Sequence, residues 1–335
     1  MNPPVPTIEE LRAVSGLDAL GVADAAPFTD TREVLERRRA AGLHGGMAFT
    51  YRNPARATTP ARALPDARAL VVGALGYRRA ADRRPVRPAG AVARYARDDH
   101  YASLRRGLDA VADRLRADGW RTLMLVDDNA LVDRAAAVRA GLGWYGKSTN
   151  VLLPGRGSWF VLGSVVTDAP LAPSSAPVAD GCGPCTRCID ACPTGAIVAP
   201  GVVDARRCLA WLVQQAGPFP TEHRAALGDR IYGCDDCQEV CPPNRAEDRR
   251  APAPPGGSAW VGLLELLAAT DEELLDRHGR WYIPARDPRY LRRNALVALG
   301  NVGDRRDPEV RGVLERYRDG DDELLAEHAS WALQQ

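Results

Sequence analysis

Hydrophobic and polar positions along the first half of the chain switch between two periods. Residues 69–77, ALVVGALGY, form an unbroken apolar run of strand length, which predicts a buried strand. RTLMLVD (121–127) and SWFVLGSVVTD (158–168) read as two more strands. Between them, YASLRRGLDAVADRLRADG (101–119) repeats apolar residues at helical spacing, with Gly119 just past its end. ALVDRAAAVRAGL (130–142) and TDTREVLERRRAAG (29–42) predict further helices, the second closed by Gly42. Thr7 and Glu10 carry the spacing of a capping box. Strands alternating with helices predict an α/β domain over residues 1–172.

Two Pro-rich stretches punctuate the rest. DAPLAPSSAPVADG (168–181) and RAEDRRAPAPPGGSA (245–259) read as boundaries, and residues 80–90, rich in Pro and Arg, as a loop. They delimit a middle domain, 173–248, and a helical domain, 257–335. Within the last, DPRYLRRNALVAL (287–299) and DDELLAEHASWAL (321–333) align at a spacing of 34 residues, matching Ala295 to Ala329, Ala298 to Ala332 and Leu299 to Leu333. That period suits a helical-hairpin repeat of HEAT type; two ordinary amphipathic helices are the plainer alternative.

Composition narrows the class. Apolar residues at 45% and charged residues at 26% predict a folded chain. No run of eighteen apolar residues and no secretory leader are present, so a cytoplasmic protein without membrane contact is expected. The net charge of +1 conceals an uneven distribution: residues 31–116 carry 19 basic and 8 acidic side chains, a net +11. Such a segment could meet a polyanion or be a solvated arginine-rich face. Of 44 basic residues only Lys147 is lysine.

The cysteines change the picture most. All eight lie between Cys182 and Cys241. CGPCTRCIDACP (182–193) is C-x2-C-x2-C-x3-C-P, whose first three thiolates wrap one four-iron cube while the fourth turns to a second. Cys234, Cys237 and Cys241, before Pro242, repeat the pattern without its first member; Ile231 stands in that place, and Cys208 is left to fill it. The crossed arrangement of two-cluster ferredoxins then assigns Cys182, Cys185, Cys188 and Cys241 to one cluster and Cys192, Cys208, Cys234 and Cys237 to the other. Zinc knuckles would need neither the third cysteine nor the C-P element.

GLGWYGKS (141–148) matches the nucleotide-binding P-loop literally, yet a helix precedes it and an extended NVLLP follows, the reverse of the order phosphate binding requires. Asp127, Asp128 and Asp133 lie after the second strand, where open α/β sheets gather ligands. A carboxyl half-buried there could hold a proton and act as a general acid, or merely cap a helix.

Taken together, VDD…VDRAAAVRAGLGWYGK (126–147), GSWFVLGSVVTD, the cysteine block with its detached member, and RNALVALGN (293–301) resemble the epoxyqueuosine reductases, cobalamin-dependent iron–sulfur enzymes of tRNA modification. The chain departs from that family's pattern directly after Lys147 (Ser148-Thr149-Asn150), at CPPN (241–244) and in 208–220. The resemblance implies a nitroreductase-like α/β domain holding base-off cobalamin, a ferredoxin-like domain with two [4Fe-4S] clusters, and HEAT-like helical repeats. It implies reduction of epoxyqueuosine at the tRNA wobble position to queuosine, electrons passing through the clusters to cob(I)alamin. Asp133 matches the family's proton donor. Arg56, Tyr95, Lys147, Asn150 and Ser158 fall in segments like its cobalamin pocket, and Asp235 and Asp236 would face the corrin from below. A flavodoxin- or ferredoxin-type reductant, a monomeric state, and an RNA-facing arginine row of Arg289, Arg292 and Arg293 are further expectations. The rival readings are a dehalogenase-like corrinoid reductase of a small molecule and an electron-transfer protein with no substrate of its own.

Overall fold

The computed structural model describes residues 4–80, 83–174, 177–250 and 253–335. Pieces of the expected loop (81–82) and of both boundaries (175–176 and 251–252) lie outside the described residues, as do residues 1–3.

In chain order the first segment carries α1 (Ile8–Ser15), β1 (Ala19–Asp24), α2 (Thr29–Ala40), α3 (Phe49–Arg52), α4 (Pro54–Ala57), β2 (Ala69–Gly76), β3 (Ala89–Val92), α5 (His100–Ala117), β4 (Thr122–Leu125), α6 (Asp133–Arg139), β5 (Trp144–Tyr145), β6 (Val151–Leu152) and β7 (Phe160–Thr167). Thr7 and Glu10 close the capping box of α1. Strands β1-β2-β7-β4 form one sheet in which every neighbouring pair is antiparallel. Alternation along β2 fills two cores. Val71 joins Leu104, Leu108 and Val111 of α5 on one face, while Leu70 and Val72 join Ala135, Ala136 and Ala137 of α6 on the other. The sheet corrects one expectation: ligands gather at strand carboxyl ends in parallel sheets, and this sheet is not parallel. Asp133 owes its place to the loop between β4 and α6. That loop also shortens the expected helix. Asp128 accepts a hydrogen bond from the Ala130 amide and Asp127 takes a left-handed φ of 53°, so helical geometry starts only at Asp133.

The middle segment holds α7 (Arg187–Asp190), β8 (Ile197–Ala199), β9 (Val202–Val203), α8 (Leu209–Leu212), α9 (Thr221–Leu227), β10 (Arg230–Tyr232), α10 (Asp236–Glu239) and α11 (Pro242–Arg250). The last holds β11 (Trp260–Gly262), α12 (Leu263–Ala268), α13 (Asp271–His278), α14 (Arg289–Val302), α15 (Pro308–Arg318) and α16 (Glu323–Ala332). The two echoing sequences are α14 and α16, and their matched residues Ala295, Ala298, Ala329 and Ala332 are fully buried. The three segments interlock. Strand β3 of the first pairs with β10 of the second and β11 of the third, over a core shared by Val92, Ile231, Leu263, Leu296 and Ala329. Charge interlocks them too. Arg84, Arg87 and Arg94 of the basic segment pair with Asp229, Glu309 and with Glu239 and Asp248 from the acidic flanks. Part of the +11 is therefore matched by carboxylates of the same molecule. Among the described residues no helix is long and apolar enough to cross a membrane.

Candidate functional site

The thiols crowd one another in two neighbourhoods. The Cys241 thiol is pushed up to about 11 by burial and then by Cys182, Cys188 and Cys185; Cys188 is raised by burial and by Cys182 and Cys185. In the second group, burial raises Cys237, with Cys234 and Cys208 as its nearest like charges, and burial also raises Cys208, beside Cys192. A single zinc ion needs its donors about 2.3 Å from one point. Among the described residues, no group of three or more His, Cys, Asp or Glu side chains is placed to hold one metal ion. A four-iron cube spreads its ligands over separate corners, so crowded thiols in fours fit it better.

Short elements hold these thiols. Cys188 rides on α7 and Cys237 on α10; a turn from the Cys185 amide to the Cys182 carbonyl (3.1 Å) folds the first loop. Gly233, beside Cys234, has φ +73°, and a Cβ there would stand 2.4 Å from the Ala93 Cβ. Glycine is thus required for β10 to bring its cysteines against the residues after β3.

Asp133 opens α6. Its Oδ1 is buried with no hydrogen-bond partner among the described residues. Burial, then Asp127, hold its carboxyl well above the usual carboxylate range, against the opposing charge of Arg134. Around it stand groups from four distant stretches of chain. Burial raises the Tyr101 phenol, with Asp127 and Asp133 adding to the effect; Tyr145, 43% exposed, is within reach of the charges of Arg134, Arg38 and Asp133. The Tyr95 phenol, raised by burial, neighbours Tyr232, Tyr101 and Asp235. The left-handed φ of Thr149 (69°) and Asp127 (53°) brackets this space, and Arg134 Nη1 donates to the Thr149 carbonyl at 3.2 Å. Strained backbone and an orphaned buried acid are features of a binding site rather than of a core.

The other expected residues fall in three kinds of place. Arg56 on α4 is exposed, and the Ala57 carbonyl next to it accepts from the Val132 amide at 3.2 Å, which sets α4 beside Asp133. Tyr95 accepts from the Gln214 side-chain amide (3.3 Å), and Asn150 Nδ2 reaches Cys237 Sγ at 3.9 Å, so Asn150 looks toward the second thiol neighbourhood. Lys147, Ser158, Asp235 and Asp236 are engaged with protein. Lys147 Nζ donates to the Gly183 carbonyl (2.7 Å), Asp235 accepts from the Arg94 amide (2.7 Å), and Asp236 holds Arg230 at 2.7 Å. Ser158 is buried in a joint: its amide donates to Asn244 Oδ1 (2.6 Å), and its Oγ accepts from Asn244 Nδ2 and Gln238 Nε2, both at 3.0 Å.

Sequence reading overlooked Tyr101, Tyr145, Arg134, Gln214 and Gln238. Arg134 and Tyr145 lie inside the VDR and GLGWYGK runs, Gln214 inside the divergent 208–220 stretch and Gln238 inside the cysteine block; Tyr101 had no such signal. The P-loop resemblance is accidental, because α6 precedes it and the β5–β6 hairpin follows. The RNA-facing arginine row is corrected. Arg293 is fully buried, Arg289 pairs with Asp287 and Asp322, and Arg292 pairs with Asp271.

Comparison with known proteins agrees with this geometry. A family model described as a 4Fe-4S double cluster binding domain matches residues 181–244. An epoxyqueuosine reductase of Bacillus cereus is 33% identical, covering 95% of this chain and 85% of its own. That of Pseudomonas aeruginosa is 34% identical, covering 99% and 96%. A crystal structure of an epoxyqueuosine reductase with an epoxyqueuosine-modified tRNA-Tyr stem loop superposes with a TM-score of 0.87 at 33% identity, covering 97% of this chain and 88% of that one.

Proposed function

Because the chain belongs to the epoxyqueuosine reductase family, we propose that it reduces epoxyqueuosine at the wobble position of a tRNA to queuosine. The observations that carry the reading are the orphaned Asp133 carboxyl, raised by burial, and the thiols that crowd one another in two neighbourhoods. The outer group, Cys182, Cys185, Cys188 and Cys241, and the inner group, Cys192, Cys208, Cys234 and Cys237, are assigned one [4Fe-4S] cluster each. Cobalamin is assigned to the space bounded by Asp133, Tyr95, Asn150 and Arg56. Asp235 and Asp236 would shape its lower side, and Lys147 and Ser158 would fix the walls. The donor chemistry suits both groups: thiols raised by burial and mutual repulsion are relieved by bound cations, and a buried acid without a partner is met by a ligand. Bound cobalamin would supply the two-electron reducing power, and the clusters a one-electron relay.

The chain's own residues then handle the proton. Overall, the epoxide gains two electrons and two protons, both C–O bonds break, a C=C bond forms, and the oxygen leaves as water. An alkoxide is a poor leaving group at neutral pH, so a proton delivered to that oxygen lowers the barrier. Asp133, whose carboxyl burial and then Asp127 raise well above the usual carboxylate range, carries it. The rigid Ser158–Asn244–Gln238 joint keeps the cluster-bearing α10 fixed against β7. The nitroreductase-like and HEAT-like descriptions of the outer segments, a cytoplasmic monomer, and a flavodoxin- or ferredoxin-type donor belong to the same reading.

The test is anaerobic reconstitution with iron, sulfide and cobalamin, then addition of epoxyqueuosine-containing tRNA and a low-potential reductant. Queuosine detected by mass spectrometry is the expected result. Clusters that assemble while cobalamin fails to bind would end the corrinoid reading.

A further inference from the structure

The C-terminal half buries two arginines, and it treats them differently. Arg224 is 1% exposed and meets a carboxylate, donating to both oxygens of Glu327 at 2.8 and 2.7 Å. Arg293 is 0% exposed, and among the described residues no carboxylate forms an ion pair with it. Its guanidinium donates instead to four backbone carbonyls: Gln215 and Gly217 at 2.6 Å, Leu212 at 3.1 Å and Val213 at 3.3 Å. Asn294 Oδ1 takes the remaining direction at 2.8 Å. Burial lowers Arg293 only to about 10, so it stays charged at neutral pH. The rings of Tyr290 and Phe219 lie 5.3 and 5.9 Å from it, but a buried cation that meets only neutral groups is costly unless some negative charge lies within the same low-dielectric region.

The carbonyls it holds say where that charge is. All four belong to the segment that leaves α8, and the Leu212 amide in turn bonds to the Cys208 carbonyl at 2.9 Å. Asn294 completes the clasp. Its Nδ2 donates to the Val213 carbonyl (2.8 Å) and to the Ile231 carbonyl in β10 (3.1 Å), the strand that leads into Cys234 and Cys237. One helical turn of α14 thus ties together the two stretches that deliver Cys208 and the Cys234–Cys237 pair. A four-iron cube on four thiolates is net negative and gains one more negative charge on reduction.

We propose that Arg293 is a positioning residue for the inner iron–sulfur cluster: it aligns the Cys208 segment against β10, and its uncompensated charge raises the potential at which that cluster is reduced. The proposal rests on the iron–sulfur reading above. It gives the RNAL sequence at the start of α14 a role in electron delivery rather than in RNA contact.

The test compares the reconstituted full-length chain with Arg293→Met, which keeps an unbranched apolar stem but not the charge, and Arg293→Lys, which keeps the charge. Each is titrated with dithionite and followed by electron paramagnetic resonance. Cys185→Ser and Cys208→Ser assign the outer and inner signals. In Arg293→Met the inner cluster should reduce with an equilibrium constant about tenfold smaller, 59 mV lower for a one-electron couple, while the outer is unmoved. Arg293→Lys should stay near the wild-type value. Loss of the inner cluster alone in Arg293→Met, restored in Arg293→Lys, supports the same conclusion. Wild-type potentials in Arg293→Met, equal shifts in both variants, or parallel shifts of both clusters would overturn it. A wild-type chain that assembles no cluster would instead sink the iron–sulfur reading.

Discussion

The cysteine block and the pocket around Asp133 are neighbours built on opposite principles. The block is local: seven of its eight thiols come from two short runs, 182–192 and 234–241, whose spacing already encodes how they wrap a ligand. The pocket is assembled at a distance. Tyr95, Tyr101, Asp133, Tyr145 and Tyr232 reach it from separate elements, and no spacing links them. The difference teaches where each is vulnerable. A local ligand set fails by losing an atom, whereas a dispersed pocket fails by losing an alignment or a proton.

The largest effect should come from the one thiol that breaks the local rule. Cys208→Ser should abolish turnover and leave about half the iron, since a cube needs its fourth thiolate. Iron analysis that still gave the full complement would show that Cys208 is not a ligand. On the pocket side, Asp133→Asn should lower turnover by about 10^2 to 10^4-fold, the range of a lost general acid. Cluster spectra should not change. Undiminished turnover would remove Asp133 from the mechanism.

The pH profile sharpens the same contrast. The Asp133 carboxyl is raised, so its donating form fades as pH climbs through that raised value, and activity should fall on the alkaline side. Asp133→Asn should lack that limb. Stability has the matching sign. The contribution of a raised carboxyl is full below the ordinary carboxylate range and is lost as pH rises through the raised value. The Asn variant should therefore melt higher than wild type at neutral and alkaline pH; equal melting curves across that window would contradict the burial argument.

The joint between the two regions comes next. Asn244→Ala leaves the Ser158 amide unsatisfied in a buried site and takes one of two donors from the Gln238 carbonyl, which keeps the Cys241 amide; the loss should cost about 2 kcal/mol in chemical denaturation. Smallest of all, Lys147→Met removes one half-exposed hydrogen bond to the Gly183 carbonyl. It should cost under about 1 kcal/mol and spare the outer cluster. A lost outer-cluster signal would mean that Lys147 organises that loop.

Much of this was legible beforehand because it rests on short-range chemistry. Thr7 and Glu10 cap α1 as their spacing requires, the apolar run at 69–77 is β2, and the helix–hairpin order around Lys147 rules out a phosphate cradle. Other features depended on packing that no window of sequence contains. The helix expected at 130–142 begins late because Asp127 and Asp128 make a turn, and the segment boundaries blur because β3 pairs with β10 and β11. Arg293 carried the same sequence signal as Arg289 and Arg292, yet it is fully buried without a carboxylate partner while each of them is paired with one.

What the sequence by itself determined is therefore the inventory and its local geometry: eight thiols, their crossed spacing, and a carboxyl in a recognisable run. Wrapping a cube and capping a helix need only residues a few positions apart. The tertiary structure alone decided which charges lose their water. Burial raises the Asp133 carboxyl and leaves Arg293 facing carbonyls, and the fold sets Arg94 against Glu239 and Asp248, some 150 residues further along the chain. Solvation is a property of everything that packs around a group, and the order of residues along a chain does not state it.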